Sequence, residues 1–312
     1  MTLDNHNNKI AFIILAINQK YIDIAEITCK KLLEYMDADV ILYYANGTVK
    51  PYVSNRLKKI NLAIYNFDFD YITYPTPLKP FIAKETLKEY DTVINLDSDI
   101  QVTPNIIQVK KHFFNKDPIF TRYCDNDMYL IWYLTDGSQL KIHWCPDELK
   151  KYINFERHDQ IKTLFTGFFI VNKNHFSLMD EWYNLYFEIL NIKDPKVYTY
   201  QIKHLLNEES ILNALILKYK ITTYLQPRFV HTAFFEGMQE VYDTLNGKIP
   251  FAPSSTNYEY AEVKFKYLNH NFSYNLCVFS KEKDNVWGAH TSKDIDVINK
   301  IYEIIDENHV KY

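Results

Sequence analysis

Asp97-Ser98-Asp99 directly follows the apolar run Thr92 to Leu96. Carboxylates one residue apart at a strand end converge on one hard cation as the chain turns. Mg2+ or Mn2+ takes about six oxygen ligands and shares them between one or two carboxylates and substrate phosphates. Such a pair suits a nucleotide diphosphate, whose charge as a leaving group the ion offsets. The competing reading is capping of the strand end. The same spacing recurs at Asp68-Phe69-Asp70, read as a solvated loop; the place after a strand and a preceding helix favours Asp97 and Asp99.

The elements that must position these residues are legible upstream. Ile10 to Ile17 is apolar throughout, as a strand covered on both faces should be. Ala25, Cys29, Leu32, Leu33 and Met36 then fall at helical spacing, with Lys30, Lys31 and Glu34 outward. Val40 to Tyr44 reads as a second strand closed by Asn46-Gly47, and Leu62 to Phe67 as a third. Pro80 to Glu89 reads as a helix with proline at its first position, and Thr92 to Leu96 as a buried strand. This alternation predicts an α/β fold with a doubly wound, mostly parallel sheet. Such sheets bind ligands beyond the carboxyl ends of their strands, which singles out Asn18 and Tyr21 after the first run and Asp97, Ser98 and Asp99 after the last.

Downstream, Pro118 to Gln160 loses its period, and holds Asp125, Asp127, Trp132, Trp144 and His158. It reads as a meandering edge or a substrate-facing lobe, with the two aspartates on a solvated loop ahead of an acceptor contact and the aromatic rings in the core ahead of stacking on sugar rings. Leu164 to Val171 resumes strand character around Gly167; Phe176 to Leu190 and Glu208 to Leu217 read as helices, and Ile221 to Leu225 as a short strand stopped by Pro227. No clean period runs from His231 to Asn285, and Lys293 to Glu307 reads as an amphipathic helix through Ile295, Ile298, Ile301 and Ile305.

Composition excludes several classes. Lys plus Arg number 35 against 39 Asp plus Glu, a net charge of −4, so sequence-independent nucleic-acid binding, which needs a basic excess, is disfavoured. No GxGxxG or GxxxxGK[ST] segment follows a strand, and the chain has only 6 glycines; phosphate must be held by a metal or by side-chain cations. Cys29, Cys124, Cys145 and Cys277 form no CxxC pair, which argues against zinc and disulfides and for reduced cytoplasmic thiols. The polar start and an eight-residue first apolar run fit neither an export signal nor a transmembrane segment. The reading is a soluble, cytoplasmic protein, with its oligomeric state unread.

Leu15 to Leu32 with Asn18 and Tyr21, then LDSD, FTGFF at Phe165 to Phe169, and NEESILN at Asn207 to Asn213 occur in the order seen in GT-A-fold glycosyltransferases. The chain resembles the retaining members, namely the glycogenin and lipopolysaccharide galactosyltransferase family and the blood-group A/B transferase family, over roughly Ile10 to Phe229. The resemblance implies a GT-A core over 1–230, with 118–160 as an acceptor-side lobe, and a C-terminal extension over 231–312 closing on the donor site. It implies a UDP-sugar donor, a glycan or other hydroxyl-bearing acceptor, and Mn2+ or Mg2+. Ala16, Asn18 and Tyr21 would meet the base and ribose, with Tyr21 stacking on uracil. Asp99 would bind the metal directly, and Asp97 the metal or the ribose beside Ser98. Lys79 or Lys84 would approach the ribose or diphosphate, and Gly167 would let the chain pass close to a sugar.

In the same resemblance Glu209 would lie under the anomeric carbon and Glu208 would hold donor hydroxyls, although acids opening a helix are also favoured by its dipole alone. WGAHTSK would make His290 a third metal ligand and Lys293 a diphosphate contact. Here the chain departs from the family, since the usual HF-G-KPW signature is absent. His231 reads as structural. Two rivals share the fold: a sugar nucleotidyltransferase, which needs a glycine- and arginine-rich loop where this chain has NQKY, and a catalytically degenerate binding or scaffold protein. An aspartate-nucleophile phosphatase is disfavoured because Gln101 stands where Thr or Val is needed.

Overall fold

The computed structural model describes residues 8–100, 102, 106–107, 109–110, 117–122, 129–133, 139–143, 147–156, 164–190, 208–225, 261–267, 270–276, 295, 298–299 and 302–303. The strands are β1 (Ile10–Ile17), β2 (Asp39–Ala45), β3 (Leu57–Asn61), β4 (Thr92–Asp97), β5 (Ile119–Arg122), β6 (Tyr129–Tyr133), β7 (Gln139–His143), β8 (Leu164–Asn172), β9 (Thr223–Leu225), β10 (Ala261–Tyr267) and β11 (His270–Leu276). The flanking helices are α1 (Gln19–Tyr35), α2 (Leu78–Leu87), α3 (Phe176–Leu185) and α4 (Glu208–Tyr219).

One sheet runs in the order β3-β2-β1-β4-β8-β5-β9, and β6–β7 and β10–β11 form separate two-stranded sheets. β1 pairs in parallel with β2 and β4, as do β2 with β3 and β5 with β9, while β8 is antiparallel to both β4 and β5. The sheet is thus doubly wound and mostly parallel, as the strand–helix alternation predicts. Alternate residues of each strand serve opposite faces. Phe12, Ile14, Leu42 and Ile94 pack against α1 through Ile22, Ala25 and Leu32. Ala11, Ile13, Val93 and Phe169 pack against Ile82 of α2, Trp182 of α3 and Leu215 of α4. Two covered faces explain why β1 is apolar at every position.

Sequence expectations fail in places with identifiable causes. The third strand is Leu57–Asn61, not Leu62 to Phe67, because the Asn61 carboxamide accepts from the Ala63 amide at 2.9 Å and turns the chain into a 3-10 turn at Leu62–Ile64. Helix α2 starts at Leu78, which puts Pro80 in its first turn rather than at its first position; the first-turn amides have no partner within the helix, so proline costs little there. The Phe176 helix passes into a π-helical turn over Tyr186–Leu190. β5 contributes the next-to-edge strand, between β8 and β9, from a stretch without visible period. β10 and β11 also fall in the unpatterned region, although Val263, Phe265 and Tyr267 alternate with Lys264 and Lys266 as a hairpin strand would.

Beneath the sheet, at the amino end of β4, Asp91 ties two strands together. Its carboxylate accepts from the Lys9 amide at 2.9 Å and from Lys173 Nζ at 2.7 Å. The Lys173 hydrogen bond, then that of Lys9, holds the carboxyl below its ordinary value. A depressed carboxyl contributes stability that is present above its ordinary titration range and lost as pH falls through the lowered value. Asp91 is about one-third exposed, so solvent screening keeps the contribution on the order of 1 kcal/mol or less. The melting-temperature gap between the wild type and Asp91→Asn should therefore be open at pH 6 and close as pH falls below about 4. A gap that stays constant to pH 3 contradicts this pairing.

Candidate functional site

Because β1, β2 and β4 run in parallel, their carboxyl ends share one edge of the sheet, and the reversed β8 brings its amino end to the same edge. Asp97 is the last residue of β4, in register with Leu15 of β1. The chain turns there, with the Ile100 amide donating to the Asp97 carbonyl at 3.0 Å. Exposure alternates across the turn: Asp97 and Asp99 are partly exposed and Ser98 is buried. This pattern sets both aspartates apart from the inward serine.

Alternation puts Asp97 on the α2 face of the sheet, and α2 supplies a cation. Lys79, in the first turn of that helix, places Nζ 2.8 Å and 3.1 Å from the two carboxylate oxygens of Asp97. The same ammonium lies 3.3 Å from Thr166 Oγ1 on β8. Lys79 is 12% exposed and Asp97 26%, so the pair is held in a partly desolvated place where geometry matters. One strand position deeper on that face, Asn95 donates to the Thr166 carbonyl at 3.3 Å, and its buried Oδ1 has no hydrogen-bond partner. Gly167 is buried next to Thr166. Sequence reasoning missed Thr166 and Asn95; the signal for Asn95 is a lone amide inside the apolar run TVINL.

The rim beside β1 and β2 is built from asparagines. Asn18 adopts φ 74° with ψ 153°, a backbone conformation that side chains other than glycine's rarely take, and Asn46 adopts φ 53°. Asn46 Nδ2 donates to Asn18 Oδ1, and the Asn18 amide donates to the Ala45 carbonyl at 3.0 Å. Gln19 holds the next turn by accepting from the Thr48 amide at 2.9 Å and donating to its carbonyl at 3.0 Å. A Cβ on Gly47 would sit 2.6 Å from Ile22 Cδ1 and 3.2 Å from Gln19 Cα, so a side chain there would make the Ile22 terminus shift and α1 give by a few tenths of an ångström. Ala16 is buried at the end of β1, and Tyr21 is half-buried in the first turn of α1.

Helix α4 packs on the Asp97 face of the sheet, with Ser210 and Asn213 buried and Glu209 partly buried at its start. The structure thus brings Asp97, Lys79 and Thr166 into contact and puts α4 in the same layer. Lys84 goes elsewhere: its ammonium pairs with Asp180 of α3 at 2.6 Å and lies 5.6 Å from the centre of the Tyr183 ring. The second aspartate pair does local work. Asp70 accepts from the Ile72 and Thr73 amides at 3.2 Å and 3.1 Å, and hydrogen bonds from Thr73 hold its carboxyl below its ordinary value. Asp68 acts on Tyr183, whose hydroxyl is pushed up to about 12 by burial first and by that carboxylate second. His290, Lys293, His231, His158, Trp144, Asp125 and Asp127 lie outside the described residues, as does most of 231–312; of Glu208 and Trp132 the backbone alone is described.

The donor set at the end of β4 fits a hard divalent ion. Its ligands would be carboxylate oxygens, and those of Asp97 would be shared with the Lys79 ammonium. A carboxylate offers about four lone-pair sites, so Lys79 and an ion can share it. No group of three or more His, Cys, Asp or Glu side chains gathers among the described residues; an ion here would complete its shell with diphosphate oxygens and water, the usual arrangement for Mg2+.

No protein-family model matches the sequence, and no curated protein matches it. Solved structures to which the chain is similar in part carry glycosyltransferase names. The apo WbbM bifunctional glycosyltransferase is 13% identical with a TM-score of 0.42, covering 73% of this chain and 40% of that one. Mouse xyloside xylosyltransferase 1, in apo form, is 10% identical with a TM-score of 0.40, covering 70% of this chain and 86% of that one. Galactosyltransferase LgtC, in complex with donor and acceptor sugar analogues, is 10% identical with a TM-score of 0.39, covering 96% and 97%. The chain therefore spans about two-fifths of the WbbM protein's length. No helix among the described residues is long and apolar enough to cross a membrane.

Proposed function

We propose that this protein is a metal-dependent glycosyltransferase that moves a hexose-type sugar from a UDP-sugar to a hydroxyl group of a glycan or other acceptor, with retention of configuration. The observation that carries the reading is the turn after β4, where Asp97 is bound to Lys79 with Asp99 two residues on, at the carboxyl edge where such sheets bind ligands. Asp97 and Asp99 would hold Mn2+ or Mg2+, which when bound supplies charge stabilisation to a departing diphosphate.

The chain's own residues supply the rest. Lys79 fixes the orientation of Asp97 and adds a second positive charge beside it. Thr166 and Asn95 tie that ammonium and the start of β8 to β4. Asn18 after β1 and Tyr21 in the first turn of α1 would receive the base and ribose, and Gly167 would let the chain pass close to a sugar. Glu209, from the same sheet face, would stabilise positive charge on the sugar centre, with Glu208 on the donor hydroxyls. His290 as a third ligand, Lys293 as a diphosphate contact, and closure by the C-terminal extension belong to this proposal.

The test is thermal unfolding with UDP and Mn2+, followed by a panel of nucleotide sugars assayed for UDP release. At ligand concentrations far above Kd the melting temperature should rise by about 3–8 °C with both present, and much less with UDP in EDTA. UDP release from one UDP-sugar, stimulated by a hydroxyl acceptor, is the expected outcome. No shift with any nucleotide, or the same shift in EDTA, counts against the reading.

A further inference from the structure

The turn that carries Asp97 and Asp99 is fastened from two sides by side chains far away in sequence. Thr28 Oγ1 of α1 donates to the Ile100 carbonyl at 3.0 Å. Two residues on, the Val102 amide donates to the Tyr302 hydroxyl at 3.0 Å, and the same hydroxyl donates to the Val102 carbonyl at 2.9 Å. One side-chain oxygen therefore satisfies both backbone groups of one residue, as a neighbouring strand would. Tyr302 is 4% exposed, and Ile298, four residues before it, is 1% exposed. The Lys31 ammonium lies 5.3 Å from the Tyr302 ring centre and is itself paired with Glu34 at 2.8 Å. Ring and hydroxyl are thus both engaged, and the tyrosine has little freedom to rotate away.

Val102 is three residues past Asp99, so at about 3.3–3.6 Å per residue it anchors the chain within roughly 11 Å of that carboxylate. Together with the Thr28 bond at Ile100, this leaves the turn short tethers on its downstream side. A divalent ion tolerates little slack between its ligands, and functional constellations lose efficiency when displaced by about 1 Å. We propose that Tyr302 is a positioning residue for the Asp97–Asp99 turn, holding Val102 so that the two carboxylates keep the spacing a divalent cation requires. The inference rests on the reading of this turn as a cation site, and it makes the C-terminal segment part of the site's support.

The test compares Tyr302→Phe with Tyr90→Phe. Tyr90 donates to Asp39 Oδ2 at 2.6 Å, at the opposite, amino edge of the strands, so its variant also loses a hydroxyl's bond without touching the turn. Two readouts are used on the full chain: amide hydrogen exchange without ligand, and the Mn2+ concentration that half-saturates the thermal shift in excess UDP. In Tyr302→Phe, exchange over 97–102 should rise and half-saturation should move up about tenfold, the scale of one to two lost hydrogen bonds; in Tyr90→Phe neither should change.

Unchanged exchange over 97–102 in Tyr302→Phe overturns the inference by itself. Faster exchange with an unchanged Mn2+ requirement also overturns it, leaving Tyr302 a purely structural residue. A wild type that shows no Mn2+-dependent UDP binding removes the cation reading and this inference together, which separates the two failures. If Tyr302→Phe does not fold, Lys31→Met loosens the ring while keeping the hydroxyl. It should move the same readouts in the same direction by about threefold, and no movement there overturns the inference.

Discussion

Asp99→Asn is expected to retain the fold and lose UDP release from a UDP-sugar by roughly 100-fold or more, since a metal's charge stabilisation of a leaving diphosphate amounts to several kcal/mol. Asp99 is the aspartate to change first. Asp97 carries the ion pair with Lys79, and neutralising it would leave an ammonium that is 12% exposed without its partner, mixing a folding cost into the result. Asp99 is partly exposed on the turn, and asparagine keeps its shape while removing its charge. Excess Mn2+ should restore little activity, because asparagine offers a neutral oxygen where the ion needs an anionic one. Activity within threefold of wild type would mean that this turn does not hold the ion.

Trp182→Ala should cost about 3–5 kcal/mol of stability, a large share of the 5–15 kcal/mol typical of a folded chain. The Trp182 side chain is fully buried, and its ring lies 5.8 Å from Phe169 of β8 and 6.4 Å from Phe120 of β5. It is therefore the piece of α3 that closes the Asp97 face of the sheet over β8 and β5. Its Nε1 is buried without a hydrogen-bond partner, a state that costs about 1–3 kcal/mol. Trp182→Phe removes that donor along with some volume, so its cost should fall well below half that of alanine. Urea midpoints measure both; equal losses in the two variants, or an alanine loss under 1 kcal/mol, contradict this account of α3.

Sequence pattern reads best where one physical demand dominates. β1 is bounded correctly because a strand covered on both faces must be apolar at every position; β4 is found from its apolar run and extends one residue further, to Asp97. β5 fails because four residues, Ile119–Arg122, are too few to show a period. β3 fails because its lysines sit on an edge strand: Lys58 pairs with Glu89 and Lys59 with Glu26, so the charge that hid the strand is satisfied by tertiary contacts. At the site, the place of Asp97 follows from strand grammar alone. The choice between Lys79 and Lys84 does not, because they stand five positions apart on α2 and the helix's rotation decides which one meets β4. Lys79 faces Asp97 and Lys84 faces Asp180. Thr166, Asn95 and Tyr302 were out of reach for the same reason, since each acts across 71 to 200 residues of sequence.

The most direct measurement is anomalous X-ray diffraction at the manganese edge from crystals soaked with UDP and Mn2+. The account expects one strong peak within about 2.0–2.4 Å of carboxylate oxygens of Asp97 or Asp99, as hard-cation ligand distances require, with the diphosphate completing the shell and Lys79 still beside Asp97. A peak bound elsewhere, or well-ordered UDP with no manganese at the end of β4, would contradict it.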